Sequence, residues 1–242
     1  MSAGETLRRD AVVLRTPITL TAAALAAVVA LTACTPIRMG AAAVLGNKQI
    51  STATLTAEVS NLDTAYKAGH GKIQLQFAAS EMPQEVLSWL LRFRVQEQLA
   101  VREGITVTDA ESQRALAAAS AQAAQSGATL TNLAVANGLP PDQVPELGRY
   151  QSIENLLVLR LNGGKLPTSA TSSTALQALG ARYNRAQCLA AKSLAIKVNP
   201  QFGRLNYAQI SVIADANTLS APEGPPSPKP TGTSAPELSP SC

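Results

Sequence analysis

The sequence predicts a mainly helical domain, and its composition is the first observation that indicates this. Hydrophobic residues make up 46% of the 242 residues, whereas aromatic residues make up only 3%. The apolar content is therefore mostly Ala, Leu and Val, and Ala and Leu rank among the strongest helix formers. The second observation is that the long apolar segments repeat with the helical period and are bounded by capping residues, while the strand-like runs are short.

The chain begins with a segment typical of an export signal. Residues 17–31 form a nearly uncharged apolar run, PITLTAAALAAVVAL, which follows Arg8, Arg9 and Arg15. The run is shorter than the roughly 20 apolar residues that a membrane span needs. A positive start, a short apolar core and small residues before a cleavage point are marks of a signal peptide. Residues 1–33 are therefore predicted to be a signal peptide.

Leu31-Thr32-Ala33-Cys34 closes this run and resembles a bacterial lipobox: an aliphatic residue, two small residues and a cysteine. In that motif a diacylglyceryl group is attached to Cys34, which becomes the first residue of the mature chain. Two acyl chains are enough for stable anchoring. We therefore expect the protein on the extracytoplasmic face of a bacterial cell membrane, with residues 34–40 as a lipidated linker. An ordinary secretory signal, or an uncleaved anchor with a chance cysteine, is the alternative.

The first predicted elements of the domain are a strand and a helix. Ala41–Leu45 is a short apolar run before a Gly-Asn turn signal, so it is predicted to be a strand. Ser51 suits the N-cap of a helix over Thr52–Ala68. Gly69-His70-Gly71 then interrupts the chain, and His70 is the only histidine. Between two glycines, it is expected to be an exposed loop residue rather than a catalytic base.

Residues 85–103 are predicted to form the most apolar helix, one that is central to the domain or lines an apolar groove. Its apolar positions are Val86, Leu87, Trp89, Leu90, Leu91, Phe93, Val95 and Val101. Its predicted polar stripe is Ser88, Arg92, Gln96 and Glu103. Arg94 and Glu97, three residues apart, are close enough to pair on a helix, and a snorkelling Arg94 is the alternative.

Four further helices and two short strands are predicted in the second half of the domain. Thr108 and Glu111 form a capping-box pattern, which indicates a helix to about residue 125. Thr129 and then Pro140-Pro141-Asp142 begin two more helices, the second of which runs to residue 161. The remaining elements are a helix over 174–193 and strands over 195–198 and 207–213.

Four of these stretches resemble a known family in their order and spacing. They are AAAVLGNKQIS at 41–51, QLAVREGITVTDAE at 98–111, LAVANGL at 133–139 and VNPQFG at 198–203. The resemblance is to the N-terminal chaperone domain of the SurA/PrsA family of extracytoplasmic foldases, of the actinobacterial type. It implies a helical fold in which Ala41–Leu45 pairs with the strand at 195–198. This pair of strands joins the N- and C-terminal ends of the domain.

The resemblance also implies a function. Family members that isomerise prolyl bonds carry a parvulin domain between the last two helices, where this chain has only a connector around residues 162–174. It therefore implies a chaperone-like holdase that binds unfolded exported proteins, with no isomerase activity, cofactor or ATP. Trp89, Phe93 and Leu90 are candidate client contacts, because large apolar groups bind varied sequences; the alternative is that they are plain core.

Two other functional classes are considered beside the holdase. The first is an adaptor or assembly subunit that binds one dedicated envelope partner. The second is an enzyme, which clustering of Glu97, Arg94 and Arg149 in one cleft would favour. The net charge is +4, but no dense block of Lys and Arg suggests a nucleic-acid partner. No cluster of Cys and His in the sequence suggests a metal site.

The cysteines and the C-terminal tail complete the predicted organisation. The helical domain is expected over residues 41–213, and residues 214–242, rich in Pro and Ser, are expected to be a disordered tail. If Cys34 is lipidated, Cys188 and Cys242 are left in an oxidising compartment, where a disulfide between them would persist. The alternative is a buried Cys188 and a free terminal Cys242.

Overall fold

Residues 40–168 and 171–214 are described by this computed structural model, and they belong to one compact unit. This part of the chain contains six α-helices and five short strands. The helices are α1 Thr52–Ala68, α2 Met82–Glu103, α3 Asp109–Gln125, α4 Leu130–Ala136, α5 Val144–Leu161 and α6 Ser173–Ser193. The strands are β1 Ala41–Leu45, β2 Lys48–Ser51, β3 Ile196–Val198, β4 Arg204–Asn206 and β5 Ser211–Ile213. The prediction of a mainly helical fold is confirmed.

Helices α1 and α3 begin at the capping residues that the sequence indicates. The Ser51 hydroxyl accepts a hydrogen bond from the amide of Thr54 at 2.9 Å. Thr108 and Glu111 form the reciprocal capping box: the Glu111 amide donates to the Thr108 hydroxyl, and the Thr108 amide donates to the Glu111 carboxylate at 2.8 Å. These bonds satisfy amides that the first helical turn leaves free. Gly104 ends α2 in the left-handed conformation, at φ 60.

A small antiparallel sheet joins the two ends of the described chain. Its strand order is β2-β1-β3, and β1 pairs with β3 in a register that places Leu45 opposite Ile196 and Ala43 opposite Val198. This confirms the pairing of the first strand with the strand after the last helix. The second partner, β2, was not expected, because Lys48–Ser51 follows a turn and contains a helix cap. Gly46, at φ 59, suits the first central position of a tight two-residue hairpin turn.

A second hairpin replaces the single strand predicted over residues 207–213. The structure forms β4 and β5 with a turn at residues 207–210 between them. The Asn206 side chain accepts a hydrogen bond from the amide of Ala208 at 3.0 Å, and Ile210 has φ 48. This local turn reverses the chain within the predicted strand, so the prediction was wrong over the first four of its residues.

Helix α2 lies at the centre of the core. Five of its apolar side chains are fully buried and share one core cluster with residues of α1, β1, α6 and β5; these side chains are Val86, Leu87, Leu91, Val95 and Leu99. The predicted polar stripe was wrong at Ser88 and Gln96, which are 0% and 1% exposed. Both side chains are buried because each has hydrogen-bond partners inside the protein. Val101, one of the predicted apolar positions of this helix, is 73% exposed.

Helices α3 and α5 pack closely because Gly148 has no side chain. A Cβ atom at Gly148 would lie 2.4 Å from the carbonyl oxygen of Ser112. Below the α3–α5 contact, Ala100, Val107 and Ile153 form a second, smaller buried cluster. α5 is thereby fixed against α2 as well as α3.

Several predictions fall on segments outside the described residues. They concern the signal peptide at 1–33, the lipidation of Cys34 and the tail from residue 215 onward, and they remain predictions. Within residues 40–168 and 171–214, none of the helices combines the length and the apolar character that crossing a membrane requires.

Candidate binding cavity beside helix α2

A cavity of about 310 Å³ lies where α2, α5 and β2 meet. Its apolar lining consists of Ile50, Leu90, Phe93 and Tyr150. Arg94, Glu97 and Glu146 add charged groups to the lining. Gln49, Thr54, Gln96 and Gln143 complete the lining, which is therefore of mixed polar and apolar character. A concave site that combines apolar side chains with polar groups is a common kind of ligand site in proteins.

Two of the three predicted contact residues line this cavity, and the third supports them. Leu90 and Phe93 are half-buried and form part of its lining. Trp89 does not line it. Its indole nitrogen donates a hydrogen bond to the carbonyl of Asn137 at 2.8 Å, and its ring centroid lies 5.8 Å from that of Phe93. Trp89 therefore packs against Phe93 without lining the cavity itself.

Tyr150 on α5 completes this aromatic cluster and was missed by sequence reasoning. Its ring centroid lies 6.0 Å from Phe93 and 6.3 Å from Trp89, both in edge-on geometry. Such tilted pairs add to the stabilisation from burial alone. The helical period of α5 could indicate that Tyr150 lies on an apolar face, but it could not indicate that this face packs against α2.

A polar network lies beneath the cavity. The Gln187 side-chain amide donates to the Tyr183 hydroxyl at 2.9 Å and to the side-chain oxygen of Gln96 at 3.2 Å. Burial, followed by the nearby Tyr150 and Glu154, raises the pKa of the Tyr183 phenol. Burial also raises the pKa of Tyr150. Both phenols are therefore neutral at physiological pH and act as hydrogen-bonding groups that join α2, α5 and α6.

Glu97 pairs with Arg149 of α5 and not with Arg94. The Arg149 guanidinium donates to both carboxylate oxygens of Glu97, at 2.5 and 3.0 Å, and to the carbonyl of Val107 at 3.2 Å. The hydrogen bond with Glu97 raises the pKa of Arg149. Arg94 is exposed. The pairing of Arg94 with Glu97 that the sequence allowed is absent from the described ion pairs.

The three charged residues whose clustering would favour an enzyme do share one cleft. Arg94, Glu97 and Arg149 line a second cavity of about 420 Å³, and Arg94, Glu97 and Glu146 line both cavities. Both oxygens of Glu97 are occupied by Arg149. The packing of α2 against α5 is sufficient to bring these three side chains together, so their clustering does not by itself require a catalytic role.

A carboxylate pair that sequence reasoning missed joins α1 to the turn before α5. Glu58 is buried, and one of its carboxylate oxygens accepts from the Gln143 amide at 2.8 Å. The other oxygen has no hydrogen-bond partner among the described residues. Burial, and then the charge of Asp142, raises the pKa of Glu58. Asp142 in turn accepts from the side chain of Asn61 at 3.1 Å.

Of the other predicted site residues, His70 and Cys188 belong to the described part of the chain, and neither lines the cavity. His70 is exposed in its loop, at φ 47. Cys188 is buried on α6 and is disulfide-bonded. Cys34 and Cys242 are both outside the described residues, so the pairing of Cys188 with Cys242 remains a prediction. Across residues 40–168 and 171–214, no three His, Cys, Asp or Glu side chains are grouped so that they could hold a metal ion.

Comparison of the chain with family models, with curated proteins and with solved structures finds no match in any of the three. Support for a function therefore comes from the motifs of the sequence and from the geometry of the cavity.

Proposed function

We propose that this protein is a lipid-anchored, extracytoplasmic holdase that binds unfolded segments of exported proteins and has no isomerase activity. The observation that supports this most is the cavity lined by Ile50, Leu90, Phe93 and Tyr150. Burial of apolar surface is non-directional and needs no particular partner sequence. A surface of this kind suits a ligand that is defined by exposed apolar side chains.

The fold that we propose is of the SurA N-terminal type, without a parvulin domain. The antiparallel pairing of β1 with β3 supports this proposal, because the resemblance implies it and the pairing joins distant parts of the chain. The connection from α5 to α6, residues 162–172, is too short for a folded catalytic domain. The membrane anchor is proposed from the lipobox at Cys34.

The size of the cavity suits weak, reversible binding. Burial of one large apolar side chain contributes about 1.5–3 kcal/mol, which alone corresponds to a dissociation constant weaker than about 1 mM. Several segments of one unfolded chain, or several copies of the protein on one membrane, would raise the effective affinity. Release then needs no ATP, because each individual contact is short-lived.

The test is an aggregation assay with the full-length protein. A chemically unfolded secreted protein is diluted into buffer with and without it, and light scattering is followed beside a prolyl-isomerase assay. We expect suppressed scattering, no isomerase activity and weaker suppression by Leu90→Ala. The matched control is Leu176→Ala, which removes a 44% exposed leucine on α6. Circular dichroism checks that both variants are folded.

Three results would count against the proposal. A failure to suppress scattering at several-fold molar excess would exclude general holdase action. Measurable isomerase activity would show that the chain contains a catalytic site after all. Equal loss of suppression in Leu90→Ala and Leu176→Ala would move client binding away from the cavity.

An adaptor that binds one envelope partner is the second candidate. The exposed Val101 favours it, because this side chain lines the second cavity together with Leu194, away from Phe93. A photo-reactive residue at position 101 tests this in intact membranes. One stoichiometric cross-linked product would favour the adaptor, and a broad distribution of products would favour the holdase.

A further inference from the structure

Strand β2 lies at an edge of the small sheet. The strand order is β2-β1-β3, so within the described residues β2 is hydrogen-bonded to β1 alone. The two strands are connected by Gly46-Asn47, and the register places Leu45 opposite Lys48 and Val44 opposite Gln49. An edge strand presents backbone groups that another strand can pair with.

The register identifies which residue of β2 has its backbone groups directed outward. In an antiparallel pair, hydrogen-bonded positions alternate with positions that are not hydrogen-bonded. A two-residue turn closes on a hydrogen-bonded pair, here Leu45 and Lys48. The next pair, Val44 and Gln49, is then not hydrogen-bonded. The N–H and C=O groups of Gln49 consequently point away from β1, toward the open edge.

The cavity beside α2 lies next to this same edge. Gln49 and Ile50 both line it, although successive side chains of a strand point to opposite faces of the sheet. Their partners on β1, Val44 and Ala43, do not line it. A cavity that touches two successive residues of β2 but neither of their partners is located at the outer edge of the strand, not over one face.

In the lining of the two cavities beside this edge, the positive residues Lys48, Arg94 and Arg149 exceed the negative residues Glu97 and Glu146 by one charge. Arg94 lines both cavities and Lys48 lines only the second; both side chains are exposed, and neither forms an ion pair with a described residue. Glu97 is neutralised by Arg149. Glu146 is the remaining acidic group in the lining of both cavities. The edge therefore complements a ligand with an acidic side chain.

We propose that an extended polypeptide segment binds antiparallel to β2 as a fourth strand of the sheet. One of its residues exchanges two backbone hydrogen bonds with Gln49. A neighbouring apolar side chain points toward the face of Ile50 and enters the cavity against Leu90 and Phe93. An acidic side chain of the same segment meets Lys48 and Arg94. This mode rests on the proposed function and deepens it, because main-chain bonds supply affinity without requiring a particular sequence.

Fluorescence anisotropy with the full-length protein tests the proposal. The probe is a labelled peptide of alternating Thr and Val with one central Phe and one Glu. Methylation of the backbone nitrogen of the residue that pairs with Gln49 removes one hydrogen bond, and we expect affinity to fall roughly fivefold to tenfold. Methylation of a residue whose N–H faces away serves as the control. Replacing the Glu of the peptide by Lys should also weaken binding, most strongly at low salt.

Variants of the protein test the same edge from the other side. Gln49→Pro removes the outward N–H, a change that an edge strand tolerates where the N–H faces solvent. We expect it to reduce affinity by about the same factor, whereas Gln49→Ala, which keeps the backbone groups and shortens only a side chain of the cavity lining, should reduce affinity less than Gln49→Pro does. If Gln49→Pro fails to fold, the methylated peptides decide the question with the unaltered protein.

The outcomes separate this inference from the proposed function. Equal affinity for peptides methylated at the inward and outward positions, or no binding of the unmodified peptide, would overturn docking at β2. If scattering is still suppressed in that case, the holdase stands and its clients bind elsewhere. Peptide binding with the expected pattern, but without suppressed scattering, would support the edge site and favour the adaptor. Displacement of the peptide by self-association of the protein would assign the edge to a second copy and overturn the proposal.

Discussion

The hydroxyl of Ser88, in the middle of α2, accepts a hydrogen bond from the backbone amide of Val212 at 2.8 Å. The same hydroxyl donates to the carbonyl of Gln84 at 2.6 Å. One buried side chain thus connects the central helix to strand β5. The Arg92 side chain adds a second link, because it donates to the carbonyl of Ile210 at 3.2 Å.

We expect Ser88→Ala to lower the free energy of unfolding by about 1–3 kcal/mol, because it leaves the buried Val212 amide without a partner. Urea denaturation measures the effect. The matched control is Ser120→Ala on the exposed face of α3, where the hydroxyl contacts only the Leu116 carbonyl; its change should be within about 0.5 kcal/mol. Equal effects at the two positions would mean that Ser88 does not hold the hairpin.

The two helical glycines should respond in opposite directions to the same substitution. Gly148→Ala introduces a Cβ atom 2.4 Å from the Ser112 carbonyl oxygen, and moving α3 away should cost about 1–3 kcal/mol. A Cβ atom at Gly180 in α6 meets nothing within 4 Å. Gly180→Ala should therefore stabilise the protein by about 0.5–1 kcal/mol. Thermal unfolding of both variants checks the signs, and stabilisation by Gly148→Ala would refute the close approach of α3 and α5.

The pair formed by Glu97 and Arg149 should show measurable coupling. A double-mutant cycle with Glu97→Ala and Arg149→Ala is expected to give about 1 kcal/mol at low salt, because the pair has two parallel bonds but is partly exposed. Asp63 and Lys67, an exposed pair within α1, should give only about 0.3–0.5 kcal/mol. Both values should decrease at high salt. Equal coupling in the two pairs would argue against a special role for the bidentate geometry.

The stability of the wild type relative to the amide variant Glu58→Gln should be greatest in acid and should decrease as the pH rises. Its pKa is raised in the folded state, first by burial and then by Asp142. Its contribution is therefore fully present below its ordinary pKa of about 4.5 and is lost as the pH rises through the raised value. Between pH 4 and pH 7, the unfolding free energy of the wild type should therefore decrease relative to that of Glu58→Gln. Urea denaturation across this range measures it.

Glu111 supplies a comparison of opposite sign. Hydrogen bonds from the backbone and hydroxyl of Thr108 lower its pKa. Its contribution is present above its ordinary pKa and is lost as the pH falls through the lowered value. The wild type should thus lose stability relative to Glu111→Gln in acid. The same direction of change in the Glu58 and Glu111 variants would contradict the assignment of their environments.

Features that depend on residues three or four positions apart could be predicted from the sequence. The cap at Ser51, the capping box of Thr108 and Glu111 and the end of α2 at Gly104 are all of this kind. Each requires only side chains and amides within one helical turn, so tertiary packing does not alter it. The pairing of β1 with β3 was predicted only because the resemblance implies it, since no local pattern specifies a partner so distant.

Features that depend on contacts between elements could not be predicted. Ser88 and Gln96 look like surface positions of an amphipathic helix, yet each is buried by partners on β5 or α6. Tyr150 joins Phe93 only when α5 packs on α2. Glu58 accepts a hydrogen bond from Gln143, which lies 85 residues later in the chain. The buried polar network and the charged lining of the cavity therefore could be identified only from the fold.

The central position of β1 also determines when the domain can be completed during synthesis. The side chain of Asn199 donates to the carbonyl of Ala41, 158 residues earlier in the chain. A nascent chain grows from its N-terminus at about 5–20 residues per second, so β1 waits roughly 8–30 seconds for β3 to emerge. During that interval β1 has β2 on one side and an unpaired edge on the other. The newly made domain is then itself an incompletely folded polypeptide, vulnerable to mispairing at that edge until its last strand closes the sheet.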